Sequence, residues 1–183
     1  MFIFLIICLM VPMMSYAAST DTFVCEKLDD SQVATIASAY MFGQKFDMGN
    51  SLSAIAWQES LAGKWKIRLG RNASFGVYHI NIKTAMKRLH KKDTHFMRGI
   101  VAQHLVDNDN LSAKLAVEEL KYWKKVRHSN WHKVWASYNN GYHYTKQAKQ
   151  YALNIAAIIK KIKKCQPVQA YVKVIKSTRY AEL

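Results

Sequence analysis

Residues 51–60 read SLSAIAWQES, and their spacing places a carboxylate where an apolar side chain is expected. Leu52, Ile55, Ala56 and Glu59 fall at positions i, i+3, i+4 and i+7, which share one face of an α-helix. Glu59 therefore belongs to the apolar stripe of this helix. Its carboxyl lies at the edge of the stripe, pairs with a cation, or is removed from water. A carboxyl removed from water keeps its proton more readily, which is what a general acid needs.

The rest of the chain predicts a mainly helical (α+β) single domain. Apolar residues recur at three- and four-residue spacing, and the 183 residues include two prolines and seven glycines. The segment 63–80, GKWKIRLGRNASFGVYHI, breaks the helical pattern, and its part 75–80 predicts a short extended piece. Helices are predicted at residues 31–45, 51–62, 82–91, 94–106, 112–127, 131–138 and 145–164.

The first 17 residues, MFIFLIICLMVPMMSYA, predict an export signal with cleavage after Ala17. They carry no charge, their apolar run is short for a membrane span, and residues 15–17 offer the small residues that a signal peptidase recognises. No Lys or Arg precedes the apolar run, so an uncleaved anchor formed by residues 2–18 is the alternative. We expect a periplasmic or extracellular protein with one domain at residues 18–165.

The tail at residues 166–183 alternates between apolar and polar residues after Pro167, as a strand does. No partner for such a strand is evident in the sequence. We therefore expect a C-terminal extension that is appended to the domain or mobile.

Two cysteines remain after the leader, Cys25 near the start of the domain and Cys165 near its end. Exported proteins meet an oxidising environment, and the count is even, so a Cys25–Cys165 disulfide is predicted. Two unrelated free thiols are the alternative. A bond that closes so long a loop would stabilise the fold by up to about 4–5 kcal/mol on the chain-entropy model.

The formal net charge of +15 favours polyanionic partners. An anionic cell wall or membrane surface fits an exported protein better than nucleic acid does. The cations are also spread along the predicted helices instead of forming one cluster with interleaved aromatic residues. No nucleic-acid partner is expected, and a generally solvated basic surface accounts for most of this charge.

Three blocks, in order and at similar spacing, resemble the soluble lytic transglycosylases and goose-type lysozymes of the lysozyme-like superfamily. The first is AWQES at residues 56–60, where the family has a helix that ends in Glu-Ser. The second is SFGVYHI at 74–80, and the third is SYNNG at 137–141, which is similar to the family's Ala-Tyr-Asn-x-Gly turn. Tyr151 also matches a family tyrosine in the last helix. The resemblance covers about residues 50–160.

The resemblance implies a lysozyme-like fold that cleaves the glycan strands of peptidoglycan, with no cofactor and no metal. Glu59 would protonate the glycosidic oxygen between N-acetylmuramic acid and N-acetylglucosamine, and would then act as base on the muramic C6 hydroxyl. The other matched positions would hold this carboxyl or line the cleft beside it: Ser60, Ser74, Gly76, Tyr78, His79, Tyr138, Asn139 and Tyr151. Of these, Tyr151 would hydrogen-bond to the carboxyl, and Gly76 would let the chain pass close to the saccharide.

The chain departs from the family at His79, where the family's usual residue is Gln. A neutral imidazole can imitate the hydrogen bonds of an amide, whereas a charged imidazole near Glu59 would favour the carboxylate and weaken the acid. Activity is therefore expected to fall when His79 becomes charged. Asn140 replaces a small residue and is a milder departure.

Transglycosylase and hydrolase remain alternatives on this fold. A hydrolase generally needs a second carboxylate, and residues 60–73 contain neither Asp nor Glu. Asp47 and Asp93, the nearest on either side, have no spacing that directs them toward the cleft. The anhydro-forming reaction with a single acid is therefore favoured. A wall-binding protein without catalysis is a further alternative.

Other sites have weaker support in the sequence. His128 and His132 have metal-ligand spacing, but no Glu follows His128 as in zinc proteases. Among the aromatic residues, Trp65 and Tyr78 are the ones most expected in the cleft, since both lie in the irregular segment. Export fits wall recycling, a secretion apparatus or a virus, so a secretion-apparatus or viral assembly partner is also open.

Overall fold

The computed structural model describes Cys25 and residues 27–181, and within them the fold is mainly helical with a small antiparallel sheet. The helices are α1 (Asp30–Gln44), α2 (Gly49–Ser60), α3 (Ile82–Arg88), α4 (His95–Asp107), α5 (Asp109–Val126), α6 (Trp131–Asn140), α7 (Lys146–Lys164) and α8 (Gln166–Ala181). The strands are β1 (Ile67–Arg68), β2 (Ser74–Phe75) and β3 (Ile80–Asn81). The predicted fold class is thus confirmed. Residues 1–17, where the export signal is predicted, lie outside the described residues.

Helix α2 lies at the centre of the domain, as its apolar stripe predicts. Leu52, Ile55 and Ala56 are fully buried, and α2 packs against α1 on one side and α7 on the other. Trp135 of α6 donates its indole N–H to the Ser51 hydroxyl at 3.0 Å. Because buried apolar surface provides most of the stability of a helix in a protein, α2 is held in place by its neighbours.

Local capping fixes where the helices begin. The side chains of Asp29, Asn81, Thr94, Asn130 and Thr145 each accept a backbone N–H of the helix that follows. Asp29 forms a full capping box, because the Gln32 side chain accepts the Asp29 backbone N–H at 3.0 Å. Such caps satisfy backbone groups that would otherwise lack partners at a helix start.

The tail differs from the sequence prediction, because residues 166–181 form helix α8 and not an extended segment. Pro167 lies in the first turn, where a helix loses no hydrogen bond to proline. Val168 and Val172 are buried, Ile175 packs beside them, and the helix lies against α1. The strand-like alternation concealed this i, i+4, i+7 pattern, and the tertiary contact with α1 favours the helix.

The sheet is formed by residues of the irregular segment and has the order β1-β2-β3 with antiparallel neighbours. Strand β1 is therefore at an edge, and strand β3 continues directly into α3. Within residues 25 and 27–181, none of the helices combines the length and apolar character that a membrane crossing requires. The small sheet lies beside the C-terminal end of α2, where Glu59 is located.

Candidate active site around Glu59

A strained turn at the end of α2 directs the chain from Glu59 into the sheet. Leu61 and Ala62 follow with φ of 50° and 56°, in the left-handed region that residues with a Cβ seldom adopt. The Ala62 N–H donates to the Ala56 carbonyl at 2.9 Å, which closes the helix. The Gln32 amide of α1 donates to the Leu61 carbonyl at 2.8 Å. These hydrogen bonds stabilise a change of chain direction at Leu61 and Ala62 that the local sequence alone would not favour.

Ser60 is a buried cross-link within this turn. Its hydroxyl accepts the Gly63 N–H at 2.8 Å and donates to the Val77 carbonyl at 2.7 Å, which joins the end of α2 to the segment after β2. The side chain is fully buried. The resemblance implied that Ser60 helps hold the carboxyl and the sugar, and the structure gives it a positioning contact with no access to a bound saccharide.

The two oxygens of Glu59 have different environments. Oε1 accepts the Tyr151 hydroxyl at 2.7 Å, whereas Oε2 lies 3.4 Å from His79 Nδ1 and 3.7 Å from an Arg68 guanidinium nitrogen. The Glu59 side chain is 7% exposed. Burial, followed by the charge of Glu59, raises the pKa of the Tyr151 phenol well above its usual range, so this hydroxyl remains a donor. Oε2 is therefore the oxygen available for proton transfer.

His79 is oriented so that one ring nitrogen faces Glu59. Its Nε2 lies 2.7 Å from the Trp65 carbonyl, and since a carbonyl only accepts, Nε2 carries a hydrogen. Nδ1 is buried and has no hydrogen-bond partner among the described residues. The backbone φ of His79 is 44°, a conformation that a side chain with a Cβ disfavours. A proton on either Glu59 Oε2 or His79 Nδ1 would allow a hydrogen bond between these two atoms.

Arg68 reaches Glu59 from strand β1 and was not identified from the sequence. Its Nε donates to the buried Ser74 hydroxyl at 3.1 Å, so Ser74 orients Arg68 and acts on the carboxyl through it. The Arg68 side chain is 54% exposed. An ion pair this open to solvent contributes at most about 1 kcal/mol.

Glu59 separates two adjoining cavities of about 490 and 320 Å³. Both are lined by Glu59, Arg68, His79 and Asn139. The larger cavity continues along α5 and the loop after α6. The smaller cavity continues along α7 and is lined mostly by amides and the Tyr151 ring; its remaining residues are Gln58, Gln147, Gln150 and Asn154. A chain-like ligand could therefore pass Glu59 with a segment on each side.

The structure brings half of the eight matched positions to the cavities at Glu59. His79, Tyr138, Asn139 and Tyr151 line them, whereas Ser60, Ser74, Gly76 and Tyr78 do not. Tyr138 and Asn139 line the larger cavity, and the Tyr138 hydroxyl donates to the Tyr78 carbonyl at 3.0 Å. The Tyr78 ring is buried and lines a separate cavity beside α1 and the α4–α5 turn. Trp65 is 62% exposed, and its side chain does not line either cavity at Glu59.

Gly76 serves the packing of the chain and not an approach to the cleft. Its φ is 80°, and a Cβ at this position would lie 2.4 Å from the Ser112 hydroxyl and 2.5 Å from the Leu105 carbonyl. Its N–H donates to the Lys66 carbonyl at 2.8 Å. Glycine is therefore required here by the close approach of α4 and α5, which is a different reason from the one implied by the resemblance.

Glu119 is a second carboxylate in the larger cavity, and the sequence analysis missed it. Both of its oxygens are engaged: Oε2 accepts the Arg88 guanidinium, and Oε1 accepts the Trp123 indole N–H at 2.6 Å. Leu115, Ala116 and Glu119 have the same spacing on α5 as Ile55, Ala56 and Glu59 on α2. That signal, applied to every helix, would have found Glu119.

Arg127 holds the loop that borders the larger cavity. Its Nε donates to the Ser137 hydroxyl at 2.8 Å, and its terminal nitrogen donates to the Tyr142 carbonyl at 3.0 Å. The Tyr142 ring is 63% exposed and packs edge-on against Trp123. Tyr142 therefore offers an aromatic surface at the mouth of the cavity, a position that the spacing of the sequence blocks did not reveal.

The two remaining predictions concern the cysteines and the His128/His132 pair. Cys25 and Cys165 are joined as a disulfide with Cα atoms 5.6 Å apart, a usual separation for such bonds. His132 packs edge-on against Trp135. Among the described residues, no three His, Cys, Asp or Glu side chains are grouped as metal ligands would be.

Comparisons with known proteins add one similarity of sequence. The chain is 25% identical over 162 residues to an uncharacterized 20.7 kDa protein in the vs-regB intergenic region of Enterobacteria phage T4, covering 80% of this chain and 85% of that protein. No family model matches the chain, and no solved structure matches it.

Proposed function

We propose that this protein is a peptidoglycan lytic transglycosylase in which Glu59 is the single acid and base. The carboxyl of Glu59 supports this proposal most directly, because it is buried to 7% exposure yet lies between two cavities that a glycan could enter. A carboxyl in such a place can exchange a proton with a ligand while water is largely excluded. Tyr151 and His79 each bring one polar atom to it from a different element.

The reaction needs two proton transfers, and Oε2 is the oxygen suited to both. In the first, protonated Glu59 gives its proton to the glycosidic oxygen as the C1–O4 bond breaks. In the second, the Glu59 carboxylate takes the proton of the muramic C6 hydroxyl while O6 bonds to C1, which closes the 1,6-anhydro ring. Glu59 ends protonated as it began. The Tyr151 hydroxyl on Oε1 stabilises the carboxylate between the two steps.

The engagement of Glu119 favours this reaction over hydrolysis. A hydrolase on this fold would use a second carboxylate to direct water or to bond to the sugar. Glu119 lines the larger cavity, but the Arg88 guanidinium and the Trp123 indole occupy both of its oxygens. Gaining a proton would weaken these hydrogen bonds to Arg88 and Trp123, which disfavours Glu119 as a base. Glu119 is better suited to fixing the wall of the cleft between α3 and α5.

Digestion of purified sacculi by Glu59→Gln tests the proposal, with release of soluble muropeptides as the measure. We expect a loss of about 10²–10⁴-fold, the usual contribution of a general acid. Glu118→Gln is the matched control, because it makes the same chemical change on α5 outside both cavities and should leave digestion unchanged. Equal digestion by Glu59→Gln and wild type would show that Glu59 is not the catalyst.

The mass of the products separates the alternatives. Transglycosylase products carry 1,6-anhydromuramic acid and are one water lighter than hydrolytic muropeptides, whereas a hydrolase would leave a reducing muramic acid. Glu119→Gln should alter the amount of product but not its mass. A protein that pellets with sacculi and releases nothing would be the wall-binding alternative, with basic charge and exposed aromatic residues responsible for the binding.

A further inference from the structure

The β1 hairpin carries an exposed apolar surface that the proposed reaction does not use. Residues 64–71 read KWKIRLGR, so cations and apolar residues alternate through most of the segment. The side chains of Trp65, Ile67 and Leu69 are 62%, 56% and 78% exposed. Large apolar side chains that are exposed singly are ordinary, but three in consecutive alternate positions form one surface. We call these three residues the hairpin stripe.

The contacts of the intervening residues explain why the hairpin stripe faces outward. Lys66 turns inward, and its Nζ lies 2.7 Å from Asp109 and 3.2 Å from the Val106 carbonyl. Arg68, although half exposed, is directed toward Ser74 and Glu59. In an extended chain, successive side chains point to opposite faces, so residues that alternate with two cations bound to the protein face the solvent. The outward direction of the stripe is therefore fixed by the fold.

The end of the hairpin is open and positively charged. Gly70 has no atom within 4 Å of the position that a Cβ would occupy, so this side of the chain faces open space. Lys64 and Arg71, which flank the stripe, are both exposed. Strand β1 is also at the edge of its sheet. Aliphatic and Trp side chains with neighbouring cations have the composition of a segment that enters the interface of an anionic bilayer.

We propose that the hairpin stripe inserts into the surface of an anionic lipid bilayer, with Lys64 and Arg71 against the headgroups. The net charge of +15 provides the attraction over longer range. A glycan is a poorer occupant, because Ile67 and Leu69 lack the flat face on which sugars stack. A second copy of the chain is also a poorer occupant, because three side chains expose a few hundred square ångströms and a stable interface buries about 800 Å² per partner.

Binding of this kind would hold the cleft close to the lipid, since Arg68 and the Trp65 carbonyl of the same hairpin contact Glu59 and His79. The inference itself does not depend on the proposed function. A protein that failed to digest sacculi could still bind lipid through the stripe, and an active transglycosylase could fail to bind lipid. The two proposals are therefore tested by separate measurements.

Sedimentation with vesicles tests the inference, using equal parts of phosphatidylglycerol and phosphatidylcholine against phosphatidylcholine alone. Ile67→Ser/Leu69→Ser should bind the anionic vesicles at least about tenfold more weakly than wild type, because it removes most of the aliphatic surface. Leu153→Ser/Val174→Ser is the matched control: these residues of α7 and α8 are 54% and 61% exposed, and binding should stay within about twofold of wild type. All variants are compared in the same processed form, so residues 1–17 contribute equally.

Two more variants separate the apolar and the electrostatic contributions. Ile67→Met/Leu69→Met keeps the apolar surface and should bind as wild type does, which distinguishes lost insertion from a misfolded hairpin. Lys64→Gln/Arg71→Gln should weaken binding to anionic vesicles and reduce its dependence on salt. Equal binding by Ile67→Ser/Leu69→Ser and wild type would overturn the proposal. So would a wild-type dimer that this double variant converts to a monomer without lipid, since the stripe would then be an interface between copies.

Discussion

The hydrogen bond between Tyr151 and Glu59 gives a measurable coupling between α7 and α2. The Tyr151 hydroxyl donates to Oε1 at 2.7 Å, and both side chains are largely buried. A hydrogen bond to a charged group contributes about 1.5–3 kcal/mol to stability, and one to a neutral group contributes about 0.5–1.5 kcal/mol. Tyr151→Phe removes only the hydroxyl, and Glu59→Gln keeps an acceptor without the charge.

A double-mutant cycle therefore isolates the charged part of this contact. We expect the free energies of unfolding of Tyr151→Phe, Glu59→Gln and the double variant to show a coupling of about 1 kcal/mol at neutral pH. Urea denaturation, followed by circular dichroism, measures each of them. Digestion of sacculi by Tyr151→Phe should fall about tenfold, because the same hydroxyl stabilises the carboxylate between the two proton transfers.

Tyr138→Phe is the control for this cycle. Its hydroxyl is directed to the Tyr78 carbonyl and not to Glu59, so its effect should add to that of Glu59→Gln within about 0.5 kcal/mol. If the effects of Tyr151→Phe and Glu59→Gln were equally additive, the hydroxyl would not stabilise a carboxylate at position 59. The assignment of Oε2 as the reacting oxygen would then lose its basis.

Three further predictions concern His79, the disulfide and Gly76. Activity should fall at acid pH, because a charged imidazole beside Glu59 favours the carboxylate, and His79→Gln should keep its activity to lower pH; the same loss of activity in this variant would assign that loss to another group. The oxidised protein without residues 1–17 should show no reactive thiol when denatured, and Cys25→Ser/Cys165→Ser should lower the free energy of unfolding by up to about 4–5 kcal/mol; two reactive thiols would contradict the bond. Gly76→Ala should lower the free energy of unfolding, measured with urea, by about 2–4 kcal/mol, because φ is positive here and the new Cβ would clash with the Ser112 hydroxyl. An unchanged midpoint of urea unfolding would mean that α5 moves to accommodate the Cβ.

The sequence predicted helices α1 to α7 and the position of Glu59 because both depend on local periodicity. The stripe of Leu52, Ile55 and Ala56 identified the buried face of α2 without any knowledge of its neighbours. Tyr151 was expected to meet the carboxyl through the family resemblance, and its hydroxyl does lie 2.7 Å from Oε1. Glu119 was missed although its spacing carried the same signal as that of Glu59.

Other parts of the site depend on contacts between residues far apart in the chain. Arg68 of β1 and His79 of the β2–β3 turn approach Glu59 because the small sheet packs beside the end of α2, and no spacing in the sequence encodes those distances. The left-handed backbone at Leu61, Ala62 and His79 is disfavoured locally and is maintained by its surroundings.

The contrast between α2 and α8 shows what the sequence determines and what the tertiary structure determines. The sequence alone determined a mainly helical domain with a carboxylate on a buried stripe, because apolar periodicity is a local property that burial then reinforces. The tertiary structure decided that residues 166–181 are a helix, since Val168 and Val172 are buried where this helix lies against α1. It also decided which oxygen of Glu59 accepts the Tyr151 hydroxyl and which one faces His79 and Arg68. These three residues come from α7, the β2–β3 turn and β1, and only the packing of these segments sets the distances.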